Sequence, residues 1–550
     1  MTSVWAVTRT TFVQCLRSKV GVACMGVLTV LLVAIPLMVN ERSAPLADRI
    51  RTFLAYSVGL TAIILCLATI LASTAFITGE VQKKQIFFLA AKPLARWQYI
   101  IGRWLGVVLL DVVMLVLAGV GIYAGAQYLH GRPSLTPTDR RAVETEVFTA
   151  RRKISPDYSG DNKVISDAVQ ARIEKCKQEG SLEQMLSNFS PRANGDRDQA
   201  MEMVRQDFEK TIRERIKSIP PNTFSRPYFF RDVNILGASQ SVGATVEKVF
   251  EKEGVMQLTL PTQTTDRLML GRPLDVNGAI SHIVDIDTGV VFVQVAKDPF
   301  FAKGLSLLKK GDHVDVVVEP FVQLTYKLSP GTNLPGPVKT NWRFDPITPG
   351  QGLWDQIMQG DLPNVPITVS VSAKCLDKSG GLVALFYNDN FGTPATTASI
   401  TIEPSDISLL YAVGTFEANF IRALGLLLVI VMFIAALGTL ASSFLSFYVA
   451  VLMTVVLVLF TVLSGFISDA VSFMPMEGIN IPLHAIAFVL QLLLPNLSSL
   501  VPTTSLVGGE EISFLGETLR PLLMSLGGTV MVLAMACVIF TKRELARVQV

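Results

Sequence analysis

The sequence predicts an α-helical polytopic membrane protein, six transmembrane helices plus an N-terminal interfacial helix, with an inserted α+β extracytoplasmic domain. Three observations carry this. Half of the residues are hydrophobic and 17% are charged, and the apolar residues gather at the two ends of the chain. Six apolar runs approach the roughly 20 residues that a helix needs to cross a hydrocarbon core of about 30 Å. Lys and Arg collect in the short segments on one side of those runs, which marks that side as cytoplasmic. The net charge of +3 says little by itself, and no nucleic-acid reading follows from it.

Residues 2–19 place Trp5, Phe12, Val13 and Leu16 on one helical face, with Thr8, Arg9, Arg17 and Lys19 mostly elsewhere, the pattern of a helix lying in the interface. The apolar run at 20–39 is too long for the h-region of a secretory signal peptide and reads as the first span. The others are 55–77, 105–125, 421–440, 447–467 and 521–540. A further apolar segment at 484–494, closed by Pro495 and Asn496, is short for a crossing, so 480–500 reads as re-entrant or interfacial. Under this count the head, the loop between spans two and three, and the tail hold eleven Lys or Arg against two acids, Glu80 and Glu544. Segment 469–520 holds Asp469, Glu477, Glu510, Glu511 and Glu517 against Arg520 alone, which suits the far side. Both termini are therefore expected in the cytoplasm, with the chain multi-pass in a cell (cytoplasmic or inner) membrane. Glu417 and Arg422 mark the outer boundary of the fourth span.

Three parts follow: 1–129 with spans one to three, an extracytoplasmic insert at 130–408, and 409–550 with spans four to six. The insert is expected to be helical over 136–219 and β-rich over 222–403. In the helix at 198–219, Met201, Val204, Phe208, Ile212, Ile216 and Ile219 recur at three- and four-residue steps before Pro220 and Pro221. Strands at 281–286 and 290–296 around Asp287-Thr288-Gly289 read as one hairpin, and 367–373 with 382–387 as a second. Residues 289–319 resemble the β-clip module of pilus-assembly and related periplasmic proteins, through Lys310-Gly311-Asp312-His313-Val314-Asp315, although turn chemistry alone also places Gly-Asp before a strand. The six cysteines show neither a zinc spacing nor a disulfide framework. Cys176 and Cys375 are the pair that an oxidising compartment would permit to bridge, provided their Cα atoms come within about 7 Å.

The segment 79–106 is a basic, half-apolar handle between two spans. Glu80 precedes a short amphipathic stretch at 85–91, where Ile86, Phe87, Phe88 and Leu89 can be buried while Lys83, Lys84 and Arg96 meet acids at a rim. An ordinary positive-inside loop with snorkelling bases has the same composition. Taken in order, several weak motifs resemble the ABC-2 type permeases, the integral membrane subunits of ABC exporters. These are Leu16-Arg17-Ser18-Lys19; Glu80, the 85–91 stretch, Pro93, Arg96 and Gly102-Arg103; the turn Ala441-Ser442-Ser443-Phe444-Leu445-Ser446; Leu494 to Leu497; and Phe540 to Leu545. The resemblance covers about the first 130 and the last 140 residues. It implies that Glu80, Lys83, Lys84, Phe87, Phe88, Pro93, Arg96, Gly102 and Arg103 couple the chain to a separate ABC-type ATP-binding subunit. It also implies a second copy of the chain or a homologous permease as partner.

There is no G-x-x-x-x-G-K-[ST], so the chain is not expected to be an enzyme, and ATP and Mg belong on the partner subunit. No G-x-S-x-G or H-E-x-x-H occurs, and the four histidines fall outside the spans, so no cofactor or metal site is expected. Asp111 is the one acid well inside a span, which makes it a candidate for a translocation path. Alternatively it snorkels, or pairs with Arg103 or Arg422. Two function classes remain open. One is an ATP-driven exporter permease embedded in lipid. The other is a non-transport envelope scaffold or mechanotransmission protein, whose insert meets an envelope partner.

Overall fold

A bilayer core offers no water to the backbone, so the apolar runs become helices that satisfy their own N–H and C=O groups. The computed structural model describes residues 2–39, 44–82, 95–134, 137–189, 196–220, 225–235, 240–250, 255–260, 271–276, 279–287, 290–295, 309–318, 320–331, 337–388, 399–472, 495–514, 516 and 518–542. In chain order the longer helices are α1 (Thr2–Arg17), α2 (Lys19–Met38), α3 (Leu46–Gln82), α4 (Arg96–His130), α5 (Ser159–Gln178), α6 (Leu182–Phe189), α7 (Arg197–Lys217), α8 (Phe416–Phe444), α9 (Phe447–Ser472) and α10 (Leu519–Lys542). Among the described residues, six helices are long and apolar enough to cross a membrane, and each coincides with a run expected from the sequence. The chain divides into two compact units, Met1–Ala150 with Gly414–Val550, and Arg151–Val413.

In the membrane unit α8 is the central helix, buried along most of its length. It approaches α3 closely through small residues. A Cβ on Gly438 would lie 1.9 Å from Ser73 Oγ, and Ser442 Oγ donates to Ser73 O at 3.4 Å. The tight turn expected at 441–446 is a two-residue break, Leu445 and Ser446, between α8 and α9. At the opposite end Asn419 clasps a loop, its Nδ2 donating to Glu510 O at 2.8 Å and its Oδ1 accepting from Ile512 N at 2.7 Å. Arg422 pairs with Glu511 at 3.2 Å.

Helix ends extend beyond the expected runs, and one domain boundary moves. Helix α3 begins at Leu46, nine residues before the apolar run, because Asp139 caps it by accepting from Leu46 N at 2.6 Å and Ala47 N at 3.0 Å. Residues 137–147, expected in the insert, form a short helix (Pro137–Ala142) and a π-helical turn (Val143–Val147) in the membrane unit. Val143 and Val147 are fully buried in the membrane-helix core, which draws this segment out of the insert.

The second unit holds β1 (Thr149–Ile154, which begins at the boundary), β2 (Ser218–Ile219), β3 (Arg226–Phe230), β4 (Gln240–Phe250), β5 (Val255–Thr259), β6 (Pro273–Val276), β7 (Ala279–Asp287), β8 (Val290–Val295), β9 (His313–Val318), β10 (Phe321–Lys327), β11 (Ser329–Pro330), β12 (Val338–Pro346), β13 (Asp355–Asp361), β14 (Pro366–Ser372), β15 (Leu382–Tyr387), β16 (Ile400–Thr401) and β17 (Ile407–Thr415). Sheets β1-β17-β10-β14 and β13-β12-β15-β3 share one core, and a small ladder β11-β16-β2 accompanies them. Trp342 fills that core, its ring centroid 4.8 Å from both Tyr326 and Phe386. Strands β4-β5-β8-β7-β6-β9 close into a barrel with its own valine-rich core. Helices α5, α6 and α7 form an arm packed around Leu182, Leu186, Ala200 and Val204.

The first hairpin forms as expected, β7 pairing antiparallel with β8 inside the barrel. Residues 309–312, within the stretch that resembles a β-clip module, make a turn in which Asp312 Oδ2 accepts from Lys309 N at 2.8 Å and Gly311 takes a φ of +95°. The second hairpin does not form. β14 pairs with β10 in one sheet, whereas β15 pairs with β12 and β3 in the other, so the Asp377 turn carries the chain between sheets. Within that turn Asp377 Oδ1 accepts from Ser379 N, Ser379 Oγ and Gly381 N at 2.6 to 2.9 Å. These bonds, above all from Ser379, pull its carboxyl down to about 2. The Cys176–Cys375 bridge is likewise not made. Cys176 is buried in the helical arm and Cys375 in the core shared by the two sheets, so the two sulfurs occupy different cores.

Candidate functional site

The loop expected to be the handle falls at residues 83–94. Lys83, Lys84, Phe87, Phe88 and Pro93 thus lie outside the described residues, as does 484–494. The two helices that deliver the loop are described, and they meet in a polar cluster. Glu80 sits on the last turn of α3, while Tyr99 and Arg103 lie one turn apart on α4. Arg103 forms an ion pair with Glu80 in which their side chains are 7% and 16% exposed. Tyr99 Oη donates to the other Glu80 oxygen at 2.5 Å, and the Arg103 guanidinium lies 5.2 Å from the Tyr99 ring centroid.

Arg103 also reaches α1, donating to Gln14 Oε1 at 2.8 Å and to Thr11 Oγ1 at 3.2 Å. That contact depends on close approach of the two helices. A Cβ on Gly102 would fall 2.8 Å from Val7 Cβ, and one on Gly106 would fall 2.4 Å from Thr11 Cβ. The role of Gly102 is therefore to admit α1. Consequently α1 turns Thr8, Thr11 and Cys15 inward, while Trp5 and Val13, on the apolar face read from the sequence, are exposed. On the far side, Tyr99 stacks on Phe540 at 5.6 Å, and Arg96 donates to Thr541 O at 2.6 Å at the end of α10. Trp104 Nε1 donates to Met432 O of α8 at 3.1 Å. Thr11, Gln14, Tyr99 and Thr541 were not singled out from the sequence. The spacing of Tyr99 and Arg103 is the one local signal that links any of them to the site.

Asp111 lies two turns further along α4, about 12 Å deeper at 1.5 Å per residue. It is fully buried, which excludes snorkelling. Its Oδ1 accepts from Thr69 Oγ1 of α3 at 2.9 Å, and among the described residues Oδ2 has no hydrogen-bond partner. Arg103 is committed to Glu80 and Arg422 to Glu511, so neither of the pairings weighed from the sequence occurs.

The cluster can act as a mechanical joint. It ties α3 and α4, which stand on either side of residues 83–94, to α1 and α10. Among the described residues no group of His, Cys, Asp and Glu is arranged to hold a metal ion.

The family model described as ABC-2 family transporter protein matches residues 5–149, which contain α1 to α4 with Glu80, Arg96, Gly102, Arg103 and Asp111. No curated protein and no solved structure matches the chain. Over this segment, which precedes the β-rich insert, the chain is similar to the ABC-2 family of transporter proteins.

Proposed function

We propose that the chain is the membrane subunit of an ATP-driven exporter and receives its power stroke through residues 83–94. The observation that carries this is the Glu80–Tyr99–Arg103 joint at the roots of that loop, inside the segment that matches the family. A separate ABC-type ATP-binding subunit, holding ATP and Mg, docks against Phe87 and Phe88 with Lys83, Lys84 and Arg96 at the rim. Its closure pushes α3 and α4 together, and the joint passes the motion to α1 and α10. Two copies of the chain, or one copy and a homologue, enclose the path, with Asp111 as its candidate residue. In this reading both termini and the loop face the cytoplasm.

Co-expression with a candidate ABC ATPase tests the proposal. The two proteins should co-purify, the chain alone should not hydrolyse ATP, and Phe87→Ala with Phe88→Ala should reduce capture of the ATPase without reducing membrane insertion. Robust hydrolysis by the purified chain, or full capture by the double variant, overturns it.

A further inference from the structure

On the flank of the membrane unit where α2 meets α4, at the end away from Glu80 and Arg103, lies a groove of about 410 Å³. Leu32, Val33 and Leu37 form one wall and Val120, Ala124 and Tyr128 the other. Leu117 and Tyr128 bound it along α4, a distance of about 16 Å at 1.5 Å per residue. That is about half of a 30 Å hydrocarbon core, the depth of a single leaflet. The trough is apolar: the hydroxyl of Thr29, which lines it, is turned back onto Met25 O at 2.8 Å.

A cation stands at its mouth. Arg132 follows the end of α4, and its guanidinium lies 4.5 Å from the Tyr128 ring centroid while also bonding the Tyr128 hydroxyl. Tyr128 is exposed on this face, at the height where aromatic residues mark the interface between hydrocarbon and headgroups. A guanidinium carries five N–H donors in a planar fork, so the bond to Tyr128 leaves donors for an anion, and phosphate is the anion that the fork fits best. A helix from a second copy would set its apolar side chains against this charge. An amphiphile with acyl chains and an anionic head matches both parts.

We infer that the α2–α4 groove is a binding site for one phospholipid, whose acyl chain lies along Val33, Val120 and Ala124 and whose phosphate is held by Arg132 and Tyr128. The inference rests on the spanning helices alone and is independent of the direction of transport and of the ATPase.

The test uses the full chain in vesicles of phosphatidylethanolamine and phosphatidylglycerol. The vesicles carry a trace of a phospholipid with a diazirine midway along one acyl chain, and adducts are mapped by mass spectrometry after illumination. Adducts should concentrate on peptides covering 29–37 and 117–128 relative to the exposed apolar face of α9 at Val455, Leu459 and Val462. Arg132→Gln should lower the groove adduct about tenfold, the scale of one charge-assisted contact, and leave the α9 background unchanged. A diazirine diacylglycerol, which lacks the phosphate, should label the groove no better than α9. Ala124→Trp should fill the trough and abolish its adduct; if that variant does not accumulate, the surface change Arg132→Gln decides. Equal labelling of groove and α9, or indifference to Arg132→Gln, overturns the site. So does disulfide cross-linking between copies carrying Val33→Cys and Val120→Cys, because a second copy would then cover the groove.

Discussion

Arg103 and Glu80 concentrate the energetics of the joint in one nearly buried pair. Removing a single partner of such a pair leaves a charge without compensation and costs about 3–5 kcal/mol, whereas removing both costs far less. Glu80→Gln is therefore expected to lower thermal stability more than Glu80→Gln combined with Arg103→Gln. A double-mutant cycle by thermal unfolding in detergent measures the difference, and additive losses would mean that the pair does not couple α3 to α4. His282 makes a comparable contact in the second unit. Its Nε2 lies 2.9 Å from both Asp355 oxygens and its Nδ1 lies 3.2 Å from Gly271 O, so both ring nitrogens face acceptors and the cation fits best. Burial pushes the imidazole pKa down, but Asp355 and the Gly271 carbonyl outweigh it and the net shift is upward. A raised pKa gives stability that is complete below the ordinary value of about 6.5 and fades as pH rises through the shifted value. Protection of β7 and β13 amides, with the intrinsic pH dependence of exchange divided out, should consequently fall on that rise, and His282→Gln should remove the dependence. A pH-independent wild type would show that the contact holds a neutral imidazole.

Among elements, the packing of α1 on α4 is the feature most exposed to a single change. Gly106→Leu puts side-chain atoms where Thr11 now sits, and such overpacking costs about 1–3 kcal/mol. It should also separate Arg103 from Thr11 and Gln14. The clean measurement is the melting temperature of Gly106→Leu against Gly106→Ala, with the larger side chain expected to lose more. Equal losses would place the sensitivity elsewhere. The six spans were legible because apolarity over about 20 residues needs no partner to be recognised. Their ends were not, since α3 continues through Asp48, Arg49 and Arg51 outside any apolar run, on a cap that Asp139 supplies from far along the chain. The joint was half legible. Glu80, Arg96, Gly102 and Arg103 stand in a local order, but Gln14 is 89 residues from Arg103 and no local pattern announces the pair. The β14–β15 hairpin was misread for a related reason. A turn signal between two alternating strands specifies a reversal of the chain, and only the two sheets decide that each strand pairs elsewhere.

For the whole molecule the outstanding assignment is sidedness. With native cysteines replaced, a cysteine at Lys378, an exposed position in the insert, should react with a membrane-impermeant reagent in intact cells. Cysteines at Gln85 and Gln549 should stay protected until the membrane is opened. Labelling of Gln549 from outside would mean that the chain crosses once more near 484–494. The basic residues near spans two and three and in the tail lead to the protected result.

The position of β1 has a consequence in time. Among the described residues it is the edge strand of its sheet and pairs only with β17, which follows nearly the entire insert in the chain. At about 5–20 residues per second, synthesis leaves β1 without its neighbour for about 10 to 50 s, whereas the barrel strands find partners among nearby residues. A waiting strand is a template for wrong pairing, and charge on its surface is the usual defence. β1 carries Arg151, Arg152 and Lys153 in succession, so the nascent chain emerges with a strand that repels its own kind until β17 arrives to close the sheet.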